Sequence, residues 1–250
     1  MIGSDLMRYL SGEFQETIGV DRDNYSQYRG HRSDIVINAN GNSNKIWAND
    51  HILEDFEAST VSVYKTLLDF PCKIYIYISS ADVYPDHTNK KFTSETKVIN
   101  PKNLSPYGFH KYLSECIVKN FMKNYIILRC PMILGTNLKK GPIYDILHNL
   151  PLFASEKSAF QMITTEEIAK IISFSITQNI TQEIFNIGGI GKVSLGKINE
   201  YIKQPVKFKK SSKIETYEMN IEKLNKIYKL KTSEEYLNYL LKIYKKNYNH

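Results

Sequence analysis

The sequence predicts an α/β fold in which a parallel β-sheet is covered by helices on both faces. Predicted strands alternate with predicted helices along the first half of the chain, and each strand is a continuous apolar run. Strands of this kind are buried on both faces, as they are in parallel sheets with crossover helices. The apolar strand 73–78 also leads into the hydroxyl group of Ser80, and open parallel sheets hold their ligands at this end of their strands.

Local signals place the individual elements. Gly12 ends the first helix, and Thr164 caps a later helix whose first turn carries Glu166 and Glu167. The predicted helices are 3–12, 51–70, 106–124, 141–150, a helix that starts at 164, 197–202 and 233–246. The predicted strands are 17–21, 34–38, 73–78, 125–129 and 183–187.

Composition limits the class of protein. With 250 residues, of which 42% are hydrophobic and 24% charged, the chain can bury the core of one large globular domain. No apolar run approaches the roughly 18 residues of a membrane span, and no signal-peptide pattern is present, so we expect no membrane partner. Cys72, Cys116 and Cys130 have neither disulfide-framework nor metal-ligand spacing, which favours reduced core thiols and a cytoplasmic location. The six histidines are scattered, so we predict no metal site.

The net charge of +7 does not indicate nucleic-acid binding. Lysines outnumber arginines, and many of them lie in the last fifty residues on predicted amphipathic helices. Arginine makes the better bidentate contacts to phosphates and bases, so a solvated lysine-rich face explains the charge. A modest positive field still suits a small anionic ligand such as a nucleotide.

Three residues form a predicted proton-transfer group. Tyr107 and Lys111 are four residues apart on a helix, so the phenol and the ammonium group lie one turn apart on the same face. A phenol has a pKa near ~10, and a neighbouring cation lowers that value. A strand-end cap would explain Ser80 alone and a surface aromatic would explain Tyr107 alone, but the three residues together indicate a catalytic group.

Four segments resemble the extended short-chain dehydrogenase/reductase family, especially its nucleotide-sugar epimerases, dehydratases and reductases. The segments are Ile78-Ser-Ser-Ala-Asp-Val-Tyr84, Ser105-Pro-Tyr-Gly-Phe-His-Lys111, 128–135 and Phe185-Asn-Ile-Gly-Gly189. The resemblance covers nearly the whole chain and implies a Rossmann-like sheet with a small C-terminal substrate lobe. It implies that residues 1–130 form the dinucleotide-binding core, to which 160–190 return, and that 131–159 and 191–250 form the lobe.

The resemblance also implies a function. Ser80 would orient the substrate hydroxyl, Tyr107 would transfer its proton, and Lys111 would bond the nicotinamide ribose. The chain would then be an NAD(P)-dependent nucleotide-sugar epimerase or keto-sugar reductase, used in surface polysaccharide biosynthesis. A nucleotide sugar is the expected partner. Members of the family commonly form homodimers through the counterparts of helix 51–70 and the tyrosine helix.

The N-terminal segment, where the family binds its dinucleotide, departs from the family pattern. Members begin with a strand and a Gly-x-x-Gly-x-x-Gly turn that holds the pyrophosphate at a helix N-terminus. Met1-Ile-Gly3 resembles only the end of that turn, with Gly3 as its third glycine. The loss of the first strand would leave a gap between neighbouring strands. We therefore expect a shortened chain start, and the alternative is a protein that binds dinucleotides poorly.

Other residues are expected to contact the cofactor. Asp21 matches the family acid that holds the adenosine ribose, which favours NAD, whereas Arg22 keeps NADP open as a partner for a 2′-phosphate. A turn-forming aspartate and a solvated arginine explain these two residues equally well. The further expected contacts are Asn38, Ala39, Asn40 and Gly41 after the next strand, together with Tyr107, Lys111 and Pro131.

The residues expected to contact the substrate limit the type of reaction. Family dehydratases carry an Asp-Glu pair after the active-site hydroxyl, and Ala81-Asp82 at these positions disfavours 4,6-dehydration. The expected substrate contacts are Ser80, Ala81, Asp82, Met132, Lys139 and Lys140. The two lysines would bind phosphates as point charges, or they form a solvated loop pair. Two alternative functions stay open: a short-chain oxidoreductase for a non-sugar alcohol or ketone, and a non-catalytic relative with impaired cofactor binding.

Overall fold

Four parallel strands form the main sheet of the protein, whose computed structural model describes residues 2–202 and 206–248. Met1, at the start of the predicted glycine turn, lies outside the described residues. The strands are β1 (Ser33–Asn38), β2 (Cys72–Ser80), β3 (Tyr125–Cys130), β4 (Met132–Leu134), β5 (Leu152–Ala154), β6 (Ala159–Phe160), β7 (Met162–Thr164), β8 (Glu183–Asn186), β9 (Val193–Ser194), β10 (Phe208–Lys213) and β11 (Thr216–Tyr217). The main sheet has the order β1-β2-β3-β8.

Most of the predicted helices are present, several with shorter bounds. The helices are α1 (Ile2–Leu10), α2 (Tyr25–Tyr28), α3 (Lys45–Asp50), α4 (Ile52–Phe56), α5 (Ser62–Asp69), α6 (Pro106–Phe121), α7 (Pro142–Leu147), α8 (Thr165–Thr177), α9 (Asn199–Ile202), α10 (Glu222–Asn225) and α11 (Ser233–Tyr248). Thr164 caps α8 as expected, because its side chain accepts a hydrogen bond from the backbone N–H of Glu167. No helix within the described residues has the length and apolar content needed to cross a bilayer.

Helices pack on both faces of the main sheet. On one face, Leu6 and Leu10 of α1 and Ile168 and Ile172 of α8 join the apolar side chains of β2 and β3 in the largest core cluster. On the other face, α5 and α6 cover a second cluster that includes Tyr75 and Tyr77 of β2. The predicted fold class, a Rossmann-like parallel sheet between two helical layers, is confirmed.

Short strands form the remainder of the described sheet structure. β10 pairs with β5, β11 pairs with β6, and β4 pairs with β7, all in parallel, whereas β9 joins β6 in antiparallel fashion. Most of these strands have only two or three residues, and the six-residue β10 is mainly lysine and serine, so none shows a long apolar run and the sequence analysis missed all of them. The predicted division into core and lobe stays a prediction.

The strand predicted at 17–21 is wrong. The segment is irregular, and Gly19 packs against the side chain of Met7 in α1. Within the described residues β1 therefore pairs with β2 alone, and the order of the main sheet continues without a gap from β1 to β8. An apolar segment becomes a strand only when a neighbouring strand takes up its backbone hydrogen bonds, and the sequence pattern does not show whether one does.

The single helix predicted at 51–70 is interrupted. α4 passes into a π-helical turn, Glu57–Val61, before α5 begins. In that turn Thr60 donates a hydrogen bond to the backbone oxygen of His110 (3.2 Å), and Ser59 donates one to Asp55 (3.2 Å). The wider turn thus places two buried hydroxyl groups against α6 and α4, at the back of the region where Lys111 lies.

Candidate active site

Ser80, Tyr107 and Lys111 meet at the carboxyl end of the main sheet. Ser80 is the last residue of β2 and is largely buried, as are the other two side chains. The side chain of Ser105 caps α6 by accepting a hydrogen bond from the N–H of Gly108 (3.2 Å), which fixes where the helix begins. The Ser80 hydroxyl and the Lys111 ammonium group both lower the pKa of the Tyr107 phenol, against the effect of burial. The structure thus brings together the three residues of the predicted proton-transfer group.

A glycine allows this close approach. A Cβ atom on Gly108 would lie 2.2 Å from the backbone oxygen of Asp82, a distance that no side chain tolerates. The first turn of α6 therefore rests directly on the backbone that follows Ser80. Gly108 positions the phenol of Tyr107 next to the Ser80 hydroxyl, a role the sequence analysis did not assign to it.

Burial controls the phenol of Tyr107. It raises the pKa of Tyr107 to about 12, and the Asp82 carboxylate adds to the rise, while the Lys111 ammonium group acts in the opposite direction. The sequence analysis expected Lys111 to lower this pKa. The lysine does so, but burial outweighs it, so Tyr107 is a protonated hydrogen-bond donor at neutral pH.

The loop after β1 lies over Lys111. The ammonium group donates a hydrogen bond to the backbone oxygen of Asn40 (3.4 Å), and a Cβ on Gly41 would come within 2.9 Å of that nitrogen. Gly41 also has a φ of +113°, which favours glycine. Asn40 and Gly41, which the sequence analysis expected to contact the cofactor, thus lie directly beside Lys111.

Hydrogen bonds of the Asn38 side chain hold this loop in place. Its amide group donates to Thr66 Oγ1 (2.7 Å) and to the Tyr75 hydroxyl (2.6 Å), and its side-chain oxygen accepts the N–H of Asn40 (2.7 Å). All the hydrogen-bonding groups of this buried amide are used within the protein. The side chain of Asn38 thus holds the loop, and its expected contact with the cofactor stays a prediction.

The first turn of α1 approaches the same loop. A Cβ on Gly3 would lie 3.9 Å from the Cβ of Ala39, so these two predicted contacts are neighbours.

Asp21 and Arg22 lie on an exposed turn. The Asp21 carboxylate accepts the N–H groups of Asp23 (2.9 Å) and Asn24 (3.3 Å). It therefore caps the turn before α2, the structural alternative that the sequence analysis had kept open.

The other predicted contacts are more scattered. Pro131 directly follows Cys130, whose Cα pairs with that of Ser80, so Pro131 lies at the catalytic end of the sheet. Met132 begins β4 and is half-buried, and Ala81 is fully buried after Ser80. Lys139 and Lys140 are exposed in the loop before α7. The structure gives these two lysines no contact with the catalytic group.

Asp82 is the centre of a polar cluster that the sequence analysis missed. Its Oδ1 accepts hydrogen bonds from Lys45 Nζ (2.7 Å) and from the Tyr217 hydroxyl (3.0 Å), and His87 Nε2 lies 3.7 Å away. Its Oδ2 accepts the Ser80 hydroxyl (3.0 Å). Burial raises the pKa of this carboxyl, but the neighbouring His87 ring and the Lys45 ammonium group outweigh it and hold the pKa well below its ordinary range. These partners come from distant parts of the chain, so no sequence motif marks them.

A second buried network supports the site from behind. Arg129 forms a bidentate ion pair with Glu115, with Nε–Oε1 and Nη2–Oε2 distances of 3.0 and 2.7 Å. Ser79 also donates to Glu115 (2.6 Å), and Arg129 donates to the Tyr84 hydroxyl (2.7 Å). The pair thus fixes the end of β2, the tyrosine helix and the end of β3 relative to one another.

No metal centre is evident in the described part of the chain, where His, Cys, Asp and Glu side chains form no group of three that could hold an ion. The cysteines carry free thiols: Cys130 is buried, and Cys72 and Cys116 are half-buried.

Solved structures share this fold. UDP-glucose 4-epimerase from Thermotoga maritima, solved with UDP-glucose, matches 99% of this chain and 96% of its own, with a TM-score of 0.76 and 15% identity. A dTDP-4-dehydrorhamnose reductase from Bacillus anthracis, solved with NADP, matches 96% and 94%, with a TM-score of 0.76 and 17% identity. UDP-glucuronic acid 4-epimerase from Bacillus cereus, solved with NAD and a fluorinated substrate analogue, matches 90% and 81%, with a TM-score of 0.70 and 18% identity. At these identities the likeness shows the fold.

The sequence itself shows the family. No curated protein matches the chain at a significant level. The model of the NAD-dependent epimerase/dehydratase family, however, matches residues 1–188, three-quarters of the chain, including β1, β2, β3 and the tyrosine helix. This match confirms the expected family and, at the level of the family, the expected nicotinamide cofactor. The chain therefore belongs to the NAD-dependent epimerase/dehydratase family.

Proposed function

We propose that the chain is an NAD(P)-dependent nucleotide-sugar epimerase or keto-sugar reductase. The observation that carries this proposal is the meeting of Ser80, Tyr107 and Lys111 beside the loop after β1. Family membership supports nicotinamide chemistry, and several neighbours in fold are named for nucleotide-sugar substrates. A role in surface polysaccharide formation and a cytoplasmic location stay predictions.

Each catalytic residue has a role that its surroundings support. During reduction, Tyr107 would give its proton to the carbonyl oxygen. During oxidation, its phenolate, the form that Lys111 favours, would take the proton of the substrate hydroxyl. Lys111 favours the phenolate electrostatically, and its contact with the Asn40 carbonyl keeps it beside the cofactor loop. Ser80 would bind the same substrate oxygen. When bound, a nicotinamide dinucleotide would supply the hydride acceptor or donor.

The residues present fit part of a dinucleotide. Ala39, Asn40 and Gly41 would line its nicotinamide half next to Lys111, and the first turn of α1 at Gly3 faces Ala39, where a pyrophosphate would meet backbone N–H groups. Asp21 and Arg22 do not distinguish NAD from NADP: one oxygen of the Asp21 carboxylate, Oδ1, is used in its own turn, and both side chains are exposed. Both dinucleotides are therefore tested.

The exposed surface supports the predicted homodimer. Leu53, Leu68 and Phe121 are 77%, 61% and 51% exposed, and they lie on α4, α5 and α6, the helices for which dimerisation was expected. Apolar side chains grouped on neighbouring helices suit a second copy of the chain. The assembly itself stays a prediction.

Calorimetry on the full chain tests the proposed function. Titration with NAD, NADP and UDP-, GDP- and dTDP-sugars should show that one dinucleotide and one class of nucleotide sugar bind. Tyr107→Phe should keep the dinucleotide affinity within about threefold and reduce turnover of the bound sugar by about 10²–10⁴-fold, the usual share of a proton-transfer group. Tyr112→Phe, on the same helix but outside the catalytic group, is the matched control and should retain turnover.

The other possible results of these measurements would favour other functions. Dinucleotide binding without sugar binding would favour an oxidoreductase for a non-sugar alcohol or ketone. A folded chain that binds neither dinucleotide would contradict both enzymatic functions and favour a non-catalytic relative. Full turnover in Tyr107→Phe would show that another group transfers the proton.

A further inference from the structure

A buried carboxylate, that of Asp55 in α4, is bonded to the helix turn that carries Lys111. Its Oδ2 lies 2.7 Å from Nδ1 of His110, the residue before Lys111 on α6. Because a carboxylate can only accept hydrogen bonds, His110 donates through Nδ1. The His110 ring is also buried, and it packs edge-on against Phe56 with centroids 5.5 Å apart. A buried carboxylate is costly unless it is hydrogen-bonded, so the other oxygen of Asp55 needs a partner as well.

That partner connects Asp55 to the loop after β1. Asp55 Oδ1 accepts the hydroxyl of Ser59 in the π-helical turn (3.2 Å), and Ser59 Oγ accepts the backbone N–H of Asn42 (3.3 Å). A serine hydroxyl has a single proton and two lone pairs. Since Asp55 takes the proton, a lone pair of Ser59 is directed at the Asn42 N–H. The carboxylate thus sets the orientation of the Ser59 hydroxyl.

The loop contacts two different elements at this point. A Cβ atom on Gly41 would lie 2.9 Å from Lys111 Nζ and 3.3 Å from Ser59 Oγ, so this glycine packs against both groups. Lys111 also donates to the backbone oxygen of Asn40. The segment 40–42 is therefore held by Lys111 of α6 and by Ser59 of the π-helical turn. The loss of either contact would change the separation between the loop and α6.

We propose that Ser59 is a positioning residue that holds the loop 39–42, which would line the dinucleotide, against α6. The buried pair of Asp55 and His110 orients its hydroxyl group. The part of this proposal that concerns the dinucleotide rests on the proposed function. The hydrogen bond to the Asn42 N–H does not, and it can be measured without any ligand.

Amide hydrogen exchange, followed by NMR on the full chain, tests the loop contact. Ser59→Ala removes the acceptor of the Asn42 N–H. We expect this amide to exchange about three- to tenfold faster in the variant, the usual effect of one hydrogen bond. The Asn40 amide is bonded to the side chain of Asn38 instead, so its exchange should not change.

Ser114→Ala is the matched control. Ser114 is as fully buried as Ser59, but its hydroxyl bonds the backbone oxygens of Ser59 and His110 rather than the loop. Its Asn42 amide should exchange at the wild-type rate. A wild-type rate in folded Ser59→Ala, or equal acceleration in both variants, would overturn the proposal. Should Ser59→Ala fail to fold, Ser59→Cys fills the same space with a thiol that accepts only weakly, and the same acceleration is expected.

A double-mutant cycle tests the role of Asp55. If its carboxylate acts through the Ser59 hydroxyl, Asp55→Ala speeds Asn42 exchange in the wild-type background and has no further effect in the Ser59→Ala background. The same acceleration in both backgrounds would show a purely structural role and would overturn this part of the proposal. Should Asp55→Ala fail to fold, its combination with His110→Phe leaves neither partner buried alone and serves in the same comparison.

Calorimetry tests the dinucleotide part. Ser59→Ala should bind NAD or NADP, whichever the wild type binds, about three- to tenfold more weakly, whereas Ser114→Ala should bind it as tightly as the wild type. Equal affinities of the wild type and Ser59→Ala would overturn the dinucleotide part alone. A wild-type chain that binds neither dinucleotide would overturn that part together with the proposed function, while Asn42 exchange still decides the loop contact.

Discussion

At the scale of single residues, the buried ion pair of Arg129 and Glu115 shows how the site is held. Both side chains are almost fully buried, and their charged groups are joined by two parallel hydrogen bonds. Ser79 and Tyr84 bond the same pair. A buried charge is tolerated when it is paired and hydrogen-bonded in this way, and it becomes costly when its partner is removed.

Arg129→Met should therefore destabilise the protein strongly. It leaves the Glu115 carboxylate buried without a cation, and we expect the free energy of unfolding to fall by about 3–5 kcal/mol. Lys170→Met is the control, since Lys170 pairs with Glu166 on the exposed face of α8 (2.6 Å) and should contribute less than about 1 kcal/mol. Urea denaturation measures both. Similar losses in the two variants would contradict the role given to the buried pair.

At the scale of elements, the tyrosine helix depends on its first turn. Ser105 caps it, and Gly108 lets it rest on the backbone of Asp82. The helix was predictable because its cap, its proline at the first position and its Tyr-x-x-x-Lys spacing are local. The contact at Gly108 was not predictable, because nothing in the sequence shows which backbone segment lies opposite a glycine.

Gly108→Ala should lower stability, although alanine is the better helix former. The added Cβ meets a backbone oxygen at 2.2 Å, so the helix must shift, at a cost of about 1–3 kcal/mol. Gly3→Ala is the matched helical control: its Cβ meets Ala39 at an ordinary 3.9 Å, and the variant should gain up to about 1 kcal/mol. In thermal unfolding, the melting temperatures of the two variants should shift in opposite directions. A stable Gly108→Ala variant would contradict the contact.

The elements also show where sequence analysis succeeds and where it fails. β2, β3 and α6 were placed well because each has a long apolar run or a local motif. The strand at 17–21 was wrong because no neighbour takes up its hydrogen bonds within the described residues. Lys45 and Tyr217 were missed because only the folded chain brings them to Asp82. The convergence of Ser80, Tyr107 and Lys111 was thus predictable from local pattern, while the residues around them depend on tertiary contacts.

At the scale of the whole molecule, buried tyrosines make stability depend on alkaline pH. Burial raises the pKa of Tyr75, Tyr77, Tyr84 and Tyr107, in the last two cases to about 12. The folded state therefore holds these protons more tightly than the unfolded chain, where a phenol titrates near ~10. This contribution is complete below that pH and is lost as the pH rises through the folded-state values.

Unfolding experiments at several pH values test this dependence. The urea midpoint should stay nearly constant up to about pH 9.5 and then fall, with each buried tyrosine costing about 1.4 kcal/mol per pH unit. Tyr107→Phe should make the fall less steep, whereas Tyr64→Phe, at an exposed position, should not change it. A midpoint that is constant up to pH 11 would contradict the raised pKa values.

The bond between Tyr217 and Asp82 joins residues 135 positions apart. A ribosome adds about 5–20 residues each second, so Asp82 is made roughly 7–27 s before its partner. By the end of that interval Ser80, Tyr107 and Lys111 have been made, but the Asp82 carboxylate, which accepts the Ser80 hydroxyl, still lacks the Tyr217 donor. The residues of the predicted proton-transfer group are therefore made well before Tyr217, and the polar cluster at Asp82 is complete only after Tyr217 has been synthesised.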